Sequence, residues 1–438
     1  MNLMTSFIIF IIAMIGCIMS GHTMVIALFI GLIVFVATGY KNGFSVSELT
    51  KMGRDGLKDA LVVVEVMFVI GFITAVWRAS GTITFFVYWG IRIITPNLFI
   101  IITFVLCCLL SYALGTSFGV AGTVGVIFMT LARSGGVSEV VTAAAIMSGI
   151  YFGDRGSPVS SSAILVAAVT KTDILDNVKL MMRTGWMALL LSTGIYAVMS
   201  WFNPIHNVDQ SFLNTLQEEF VISWWCIVPA VFMLVLPLFK VQVLHAMLIS
   251  IASGVILSLF VQHMDLVTLL KAMVFGYEST GTLGNIINGG GLISMIEVVF
   301  VVAISCTYSG IFAGTDMLAG IQDKLKPMMK YIGRFGTMVV VSFATLMLFC
   351  NQTIASMMCN DILSKLYQEQ GASKAELAMD IENSVIVLAA VVPWALACSV
   401  PLKFMQVGYE IVPLSFYLFL IPICYAIQKK VANPFKVE

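Results

Sequence analysis

Long apolar stretches of this chain carry no Asp, Glu, Lys or Arg, among them 7–21, 23–40, 97–131, 184–205, 220–239, 298–315, 335–360, 384–402 and 411–428. Most are long enough to cross a hydrocarbon layer of about 30 Å. Lipid offers no partners to a backbone N–H or C=O, so tracts of this length admit helices and little else. The composition agrees, since 60% of the 438 residues are hydrophobic and 11% are charged, with a mean hydropathy of +1.01. These values exclude a soluble domain, and the expected fold is an all-α polytopic membrane protein surrounded by lipid. The tracts 97–131 and 335–360 exceed one span, and each is expected to break and continue.

The formal net charge is zero, so no basic surface points to nucleic acid. All nine cysteines lie in or beside apolar tracts and show no metal-ligand spacing with the four histidines. They read as buried small hydrophobes, and no resident cofactor is expected. The segment MNLMTSF has no basic residue and no small-residue cleavage pattern follows Ser20, so the first tract reads as a span and not as a cleavable signal.

Basic residues crowd four places: Lys41, Lys51, Arg54 and Lys58; Lys171, Lys179 and Arg183; Lys324, Lys326, Lys330 and Arg334; and Lys429 with Lys430. By the positive-inside rule these are cytoplasmic, in a multi-pass protein of the inner (plasma) membrane with both termini inside. The segment 203–219 has no Lys or Arg and belongs outside. Seven crossings are expected before it and seven after.

One segment breaks the rules of the bilayer. Residues 151–162, YFGDRGSPVSSS, put Asp154 and Arg155 into an apolar region, where each costs roughly 2.5–3.5 kcal/mol at mid-membrane. Gly153, Gly156 and Pro158 also interrupt the backbone ladder. Such a segment is tolerated only against protein or a water-filled cavity, which makes it a candidate transport site.

The break has a counterpart. The offset that places Gly136 over Gly371 and Ser138 over Ser373 also places Pro158 over Pro393 and Thr116 over Asn351. At a slightly smaller offset, VVVEVMF around Glu65 resembles SMIEVVF around Glu297. Either these two glutamates gate or couple, or they make repeat-specific hydrogen bonds near the ends of their spans. The chain thus reads as two repeats, 1–202 and 220–438, joined by the external linker 203–219. An odd number of crossings in each half makes the repeats inverted, with discontinuous helices and a site near the midplane.

Asp154 and Glu382 are the candidate coupling acids, because coupling to Na⁺ or H⁺ needs a carboxylate that can exchange a proton for a metal ion. Asn383 adjoins Glu382, and Trp394 adjoins the second proline. Ser157, Ser160, Ser161 and Ser162, with carbonyls freed around Pro158, offer hard oxygen ligands; Asp154, Ser157 and Ser160 form the candidate Na⁺ set. Arg155 could neutralise Asp154, tether a neighbouring helix, or hold a substrate carboxylate. Thr116 and Ser117, matched by Asn351 and Gln352, suit a broken helix or a re-entrant turn facing the site. The run NIINGGG at 285–291 lacks the Lys-Ser/Thr of a phosphate loop and suits a hinge or hairpin tip. No His pair, GxSxG or Ser/Lys dyad suggests an enzyme, and polarity gathered in two breaks argues against a channel.

The motif GDRGSPVSSS resembles the GDK-x-SP-x-SDTT pattern of the NhaC family of Na⁺/H⁺ antiporters, and MDIENSVIVLAAVVPWALAC is similar to that family's LEDSGT…PLIPWN tract. The resemblance covers nearly the whole chain. It implies a sodium- or proton-coupled secondary transporter with Asp154, Ser157, Ser160, Glu382 and Asn383 at matching positions. This chain departs from the pattern with Ser161 and Asn383 where the family has Asp, and Ala395 where it has Asn. The family also includes antiporters of organic acids and probable amino-acid permeases, so the implied cargo is Na⁺ and H⁺ or, alternatively, an amino-acid or organic-acid carboxylate moved with one of them. A homodimer is compatible with this reading.

Overall fold

A computed structural model describes residues 3–20, 22–93, 95–205, 210–239, 241–279, 287–315 and 321–431. The middle of the expected linker, 206–209, and the first two residues of the NIINGGG run lie outside the described residues. Helices account for nearly all of the structure, in keeping with a polytopic membrane protein. Six are long and apolar enough to cross a bilayer, or seven if Val64–Ala79 and Thr82–Gly90, bent by 62°, count as one span. All nine cysteines are buried free thiols.

The count of fourteen crossings is corrected by what the two longest tracts do. In place of breaking and continuing, each folds back on itself. Phe99–Leu114 ends at Gly115, whose φ of 64° reverses the chain, and Ser117–Ser134 returns. In the second half the helix Ile321–Phe349 is interrupted at Gly333; residues 334–349 then lead to Cys350 at φ 56°, and Gln352–Glu369 returns. Cys350 adopts the left-handed conformation with a side chain in place, at a cost of roughly 1–2 kcal/mol. Two helical hairpins result.

Each hairpin leads into a broken helix. The first is Glu139–Gly156 followed by Ser161–Thr170; the second is Lys374–Ile381, widened by a π turn at Glu382–Ile386, and then Leu396–Met405. Matched turns have matched backbones. Gly136 and Gly371 have φ of 65° and 69°, and Lys171 and Gln406, which close the two broken helices, have 55° and 56°. Ser138 and Ser373 cap the first pieces through the amides of Val141 and Glu376.

Packing repeats as well. Gly153 lies so close to the backbone of Ser111 and Tyr112 that a Cβ would overlap it, and a Cβ on Gly149 would fall 2.6 Å from that of Cys107. At the positions matching Cys107 and Gly149, the Ser342 hydroxyl donates to Ser384 at 3.1 Å. The two broken helices cross in opposite directions. Asn383, ahead of the second break, meets Arg155, whereas Ala397, beyond that break, accepts a 2.6 Å bond from Tyr151, which precedes Arg155 on the first helix.

Candidate functional site

The first break and both hairpin tips converge on Asp154. The carboxylate is 4% exposed, and its Oδ2 accepts from Gln352 Nε2 at 3.0 Å. Ser162 Oγ lies 3.4 Å from each oxygen, and Gln352 also donates to Ser162 at 3.3 Å. The backbone amide of Ser117, where the first hairpin's return arm begins, is a further partner. Ser117 and Gln352 occupy matched positions, so each half presents the start of its return arm to one acid. Helix N-termini favour negative charge.

The sequence ordered the serines differently. Ser160 caps the restarted helix, accepting from the Ala163 amide while its hydroxyl donates to the Asp154 carbonyl at 2.5 Å. Ser157 donates to the Tyr112 carbonyl at 2.6 Å and accepts from Val159. Their hydroxyl protons are engaged by backbone carbonyls. Ser161 is exposed. The reason is helical phase: with a restart at Ser161, the next side chain turns about 100° and faces Asp154, so Ser162 takes the place expected of Ser161.

Thr116 and Asn351 have matched roles that are local. Thr116 accepts from the Gly119 amide, and Asn351 from those of Thr353 and Ile354, so both cap the return arms. Pro393 and Trp394 lie in the second break. The Trp394 indole donates to the Met347 carbonyl at 3.0 Å, and the Leu396 amide holds Cys350, the hairpin tip, at 2.8 Å. In the first half Gly115 packs so tightly on Val159 and Ser160 that a Cβ would lie 2.6 Å from the Val159 carbonyl group.

Arg155 is fully buried, and of the roles open to it the geometry selects the tether. Its Nε donates to Asn383 Oδ1 at 2.9 Å, Nη2 to the Met181 carbonyl at 2.9 Å and to Thr184 at 3.0 Å, and Nη1 to the Tyr417 hydroxyl at 3.4 Å. All these partners are neutral. The fork is occupied, so Arg155 neither pairs directly with Asp154 nor offers a free face to a solute carboxylate. Thr184 and Tyr417 were not read as site residues, because Thr184 follows Arg183 at the end of a basic stretch and Tyr417 lies inside an apolar tract.

Glu382 opens the π turn, a wider helical turn that is frequent at functional sites. It is fully buried, and neither carboxylate oxygen has a hydrogen-bond partner among the described residues. Arg155 and Asp154 are the charges that act on it. A buried polar atom without a partner costs about 1–3 kcal/mol, and more if charged. No group of three or more His, Cys, Asp or Glu that could hold a metal comes together among the described residues.

A second buried polar cluster went unread in the sequence. Asp380 accepts from Tyr367 and Tyr425 at 2.7 Å each and from Lys429 at 2.8 Å. Lys429 also binds Glu376 at 2.8 Å, and Arg334 grips Glu376 with contacts of 2.9 to 3.1 Å. Its members are far apart in sequence, which hides it. Of the glutamates set symmetrically in the sequence, Glu297 binds Lys403 at 2.5 Å and Thr23 at 2.6 Å, whereas Glu65 is exposed.

A family model described as the Na⁺/H⁺ antiporter family matches residues 2–201 and 149–428. The chain is similar to the malate-2H⁺/Na⁺-lactate antiporter of Bacillus subtilis, with 24% identity over 378 residues, 84% of this chain and 81% of that one. It is 22% identical to the Na⁺/H⁺ antiporter NhaC of the same organism over 428 residues, 95% and 94% of the two chains. The arginine/ornithine antiporter ArcD of Halobacterium salinarum is 24% identical over 378 residues, covering 82% and 76%.

Proposed function

This chain belongs to the Na⁺/H⁺ antiporter family, and on that premise we propose that it exchanges Na⁺ for H⁺ across the plasma membrane by alternating access, with Asp154 and Glu382 as the coupled acids. The observation that carries the reading is Glu382, whose two buried oxygens lack a hydrogen-bond partner among the described residues. An ionised carboxylate in that position needs a cation nearby, because an unpaired buried charge costs several kcal/mol. A proton removes the charge; Na⁺ balances it.

The charges at the centre make the two cargoes alternatives. Asp154 and Glu382, both ionised, leave one net negative charge beside Arg155. Either one proton or one Na⁺ brings the site to neutrality, and a neutral site is the form that crosses low dielectric at least cost. In this reading Ser162 supplies an oxygen ligand next to Asp154, Gln352 holds both through its amide N–H, and the breaks supply carbonyls. The halves 1–202 and 220–438 would rock about the centre, with both chain ends cytoplasmic.

The test is reconstitution with a trapped pH dye under an imposed Na⁺ gradient. Na⁺ alone should drive proton flux, and Asp154→Asn should abolish it; flux that starts only when an amino or organic acid is added would sink the Na⁺/H⁺ reading. The printed names of two relatives, the malate/lactate antiporter and ArcD, favour a second reading, coupled movement of a carboxylate solute. Arg155 is an unsuitable receptor for that carboxylate, since its fork is filled by neutral partners.

A further inference from the structure

A second buried arginine is differently placed. Arg78, at the end of the helix Val46–Ala79, is 3% exposed. Its Nε donates to the Ile287 carbonyl at 2.7 Å and its Nη1 to the Thr74 carbonyl at 2.8 Å. Its Nη2 has no hydrogen-bond partner among the described residues. The side chain lines a cavity of about 30 Å³, shared with Thr74, Gly290, Ser294, Lys403 and Gln406.

The charge on Arg78 has no acidic partner among the described residues. The charged group that acts on it is Arg133, of the same sign, and the undescribed segment 280–286 contains no Asp or Glu. Lys403 on the same wall pairs with Glu297. Two cations and one carboxylate leave the cavity positive. A buried guanidinium without a counter-charge costs several kcal/mol, which a bound anion would offset.

The glycines of NIINGGG, the run read as a hinge or hairpin tip, shape this cavity. Gly289, Gly290 and Gly291 have φ of 127°, 76° and 83°. A Cβ on Gly290 would lie 2.7 Å from the Ala75 amide nitrogen, and one on Gly289 would lie 2.5 Å from Gln406 Nε2. Glycine is required on both counts, steric and conformational. The loop closes against Thr74 and Ala75, and Gln406, exposed and itself at φ 56°, stands at the rim.

We propose that this cavity binds the carboxylate group of a small organic acid, held by Arg78 Nη2, Lys403 Nζ and the Gln406 amide. A water occupies roughly 10–15 Å³ on this measure, so the space accepts a carboxylate group while the rest of the acid extends past Gln406. Three N–H donors from different directions suit two oxygens better than one spherical ion. The proposal deepens the carboxylate reading above and rests on it only in treating the bound acid as a solute.

The experiment is calorimetric titration of the full-length purified protein, in chloride buffer, with acetate, lactate and malate. At least one acid should bind saturably, and Arg78→Gln and Gln406→Glu should each weaken it about tenfold or more, the latter by placing like charge at the rim. Gln406 is exposed, so its variant keeps the test open if Arg78→Gln does not fold, as judged by size-exclusion profile and thermal unfolding. No saturable binding of any of the three acids, or binding unchanged in the folded variants, overturns the proposal. Equal competition by chloride also overturns it, in favour of a halide site. Na⁺-driven proton flux of the unmodified protein without added acid, recorded separately, distinguishes failure of the exchange reading from failure of this site.

Discussion

Arg334, Tyr367, Glu376, Asp380, Tyr425 and Lys429 form a buried polar cluster in the second half; the matched positions of the first half hold Phe99, Ala132, Val141, Ala145, Leu190 and Gly194. The backbones correspond down to the φ of individual turn residues, yet one set is joined by ion pairs and hydrogen bonds while the other carries no polar side chain, with Leu190 and Gly194 exposed. A shared backbone evidently constrains where helices break and where hairpins turn, and leaves the packing between them free to diverge. The two sets also respond differently to their surroundings. Apolar contacts are non-directional and tolerate a change of partner, whereas a buried ion pair is strongly destabilised when one member is lost.

Three measurements press on that comparison. The largest effect is expected at the centre, where Glu382 is matched by Met147. Glu382→Gln should lower the initial rate of Na⁺-driven proton flux about 100-fold or more, because the neutral amide can neither release a proton nor balance a cation. Met147→Leu should leave the rate within about twofold, and equal losses would show that depth in the membrane matters more than charge. Next is the cluster itself. Asp380→Asn removes a carboxylate that Lys429 and two tyrosines address, and should cost about 3 kcal/mol in unfolding measurements. Ala145→Ser at the matched position should cost under about 1.5 kcal/mol. The smallest effect tests the symmetry directly: Lys171→Gly and Gln406→Gly each relieve a left-handed residue at a helix end and should stabilise by about 0.5–1 kcal/mol. A clear inequality between them would mean that the matched turns differ in their strain.

Much of this arrangement could be read from the sequence because membrane chains declare their exceptions. Pro158 and Pro393 marked the two breaks, and Gly136 and Gly371 the turns before them, since only a few residue types suit those conformations. Asp154 stood out because a charge amid apolar residues is expensive. What could not be read depends on direction in space. Whether 97–131 continues or returns rests on one φ at Gly115, and at the matched Cys350 no glycine announces the turn. That Ser162 and not Ser161 faces Asp154 is a matter of helical phase. Arg155 could have served three roles, and only the positions of Thr184, Asn383 and Tyr417 decided among them.

Arg155 binds Asn383 across the two antiparallel broken helices, and this bond has a mechanical meaning. A link between two levers near their crossing point acts as a pivot: it resists sliding there while leaving the far ends free to swing. A helix of 16 residues, such as Phe99–Leu114, extends about 24 Å at 1.5 Å per residue. A tilt of about 10° about its inner end would carry the outer end through roughly 4 Å on that geometry. An opening of that size admits a hydrated ion at one mouth while the axle at the centre hardly moves.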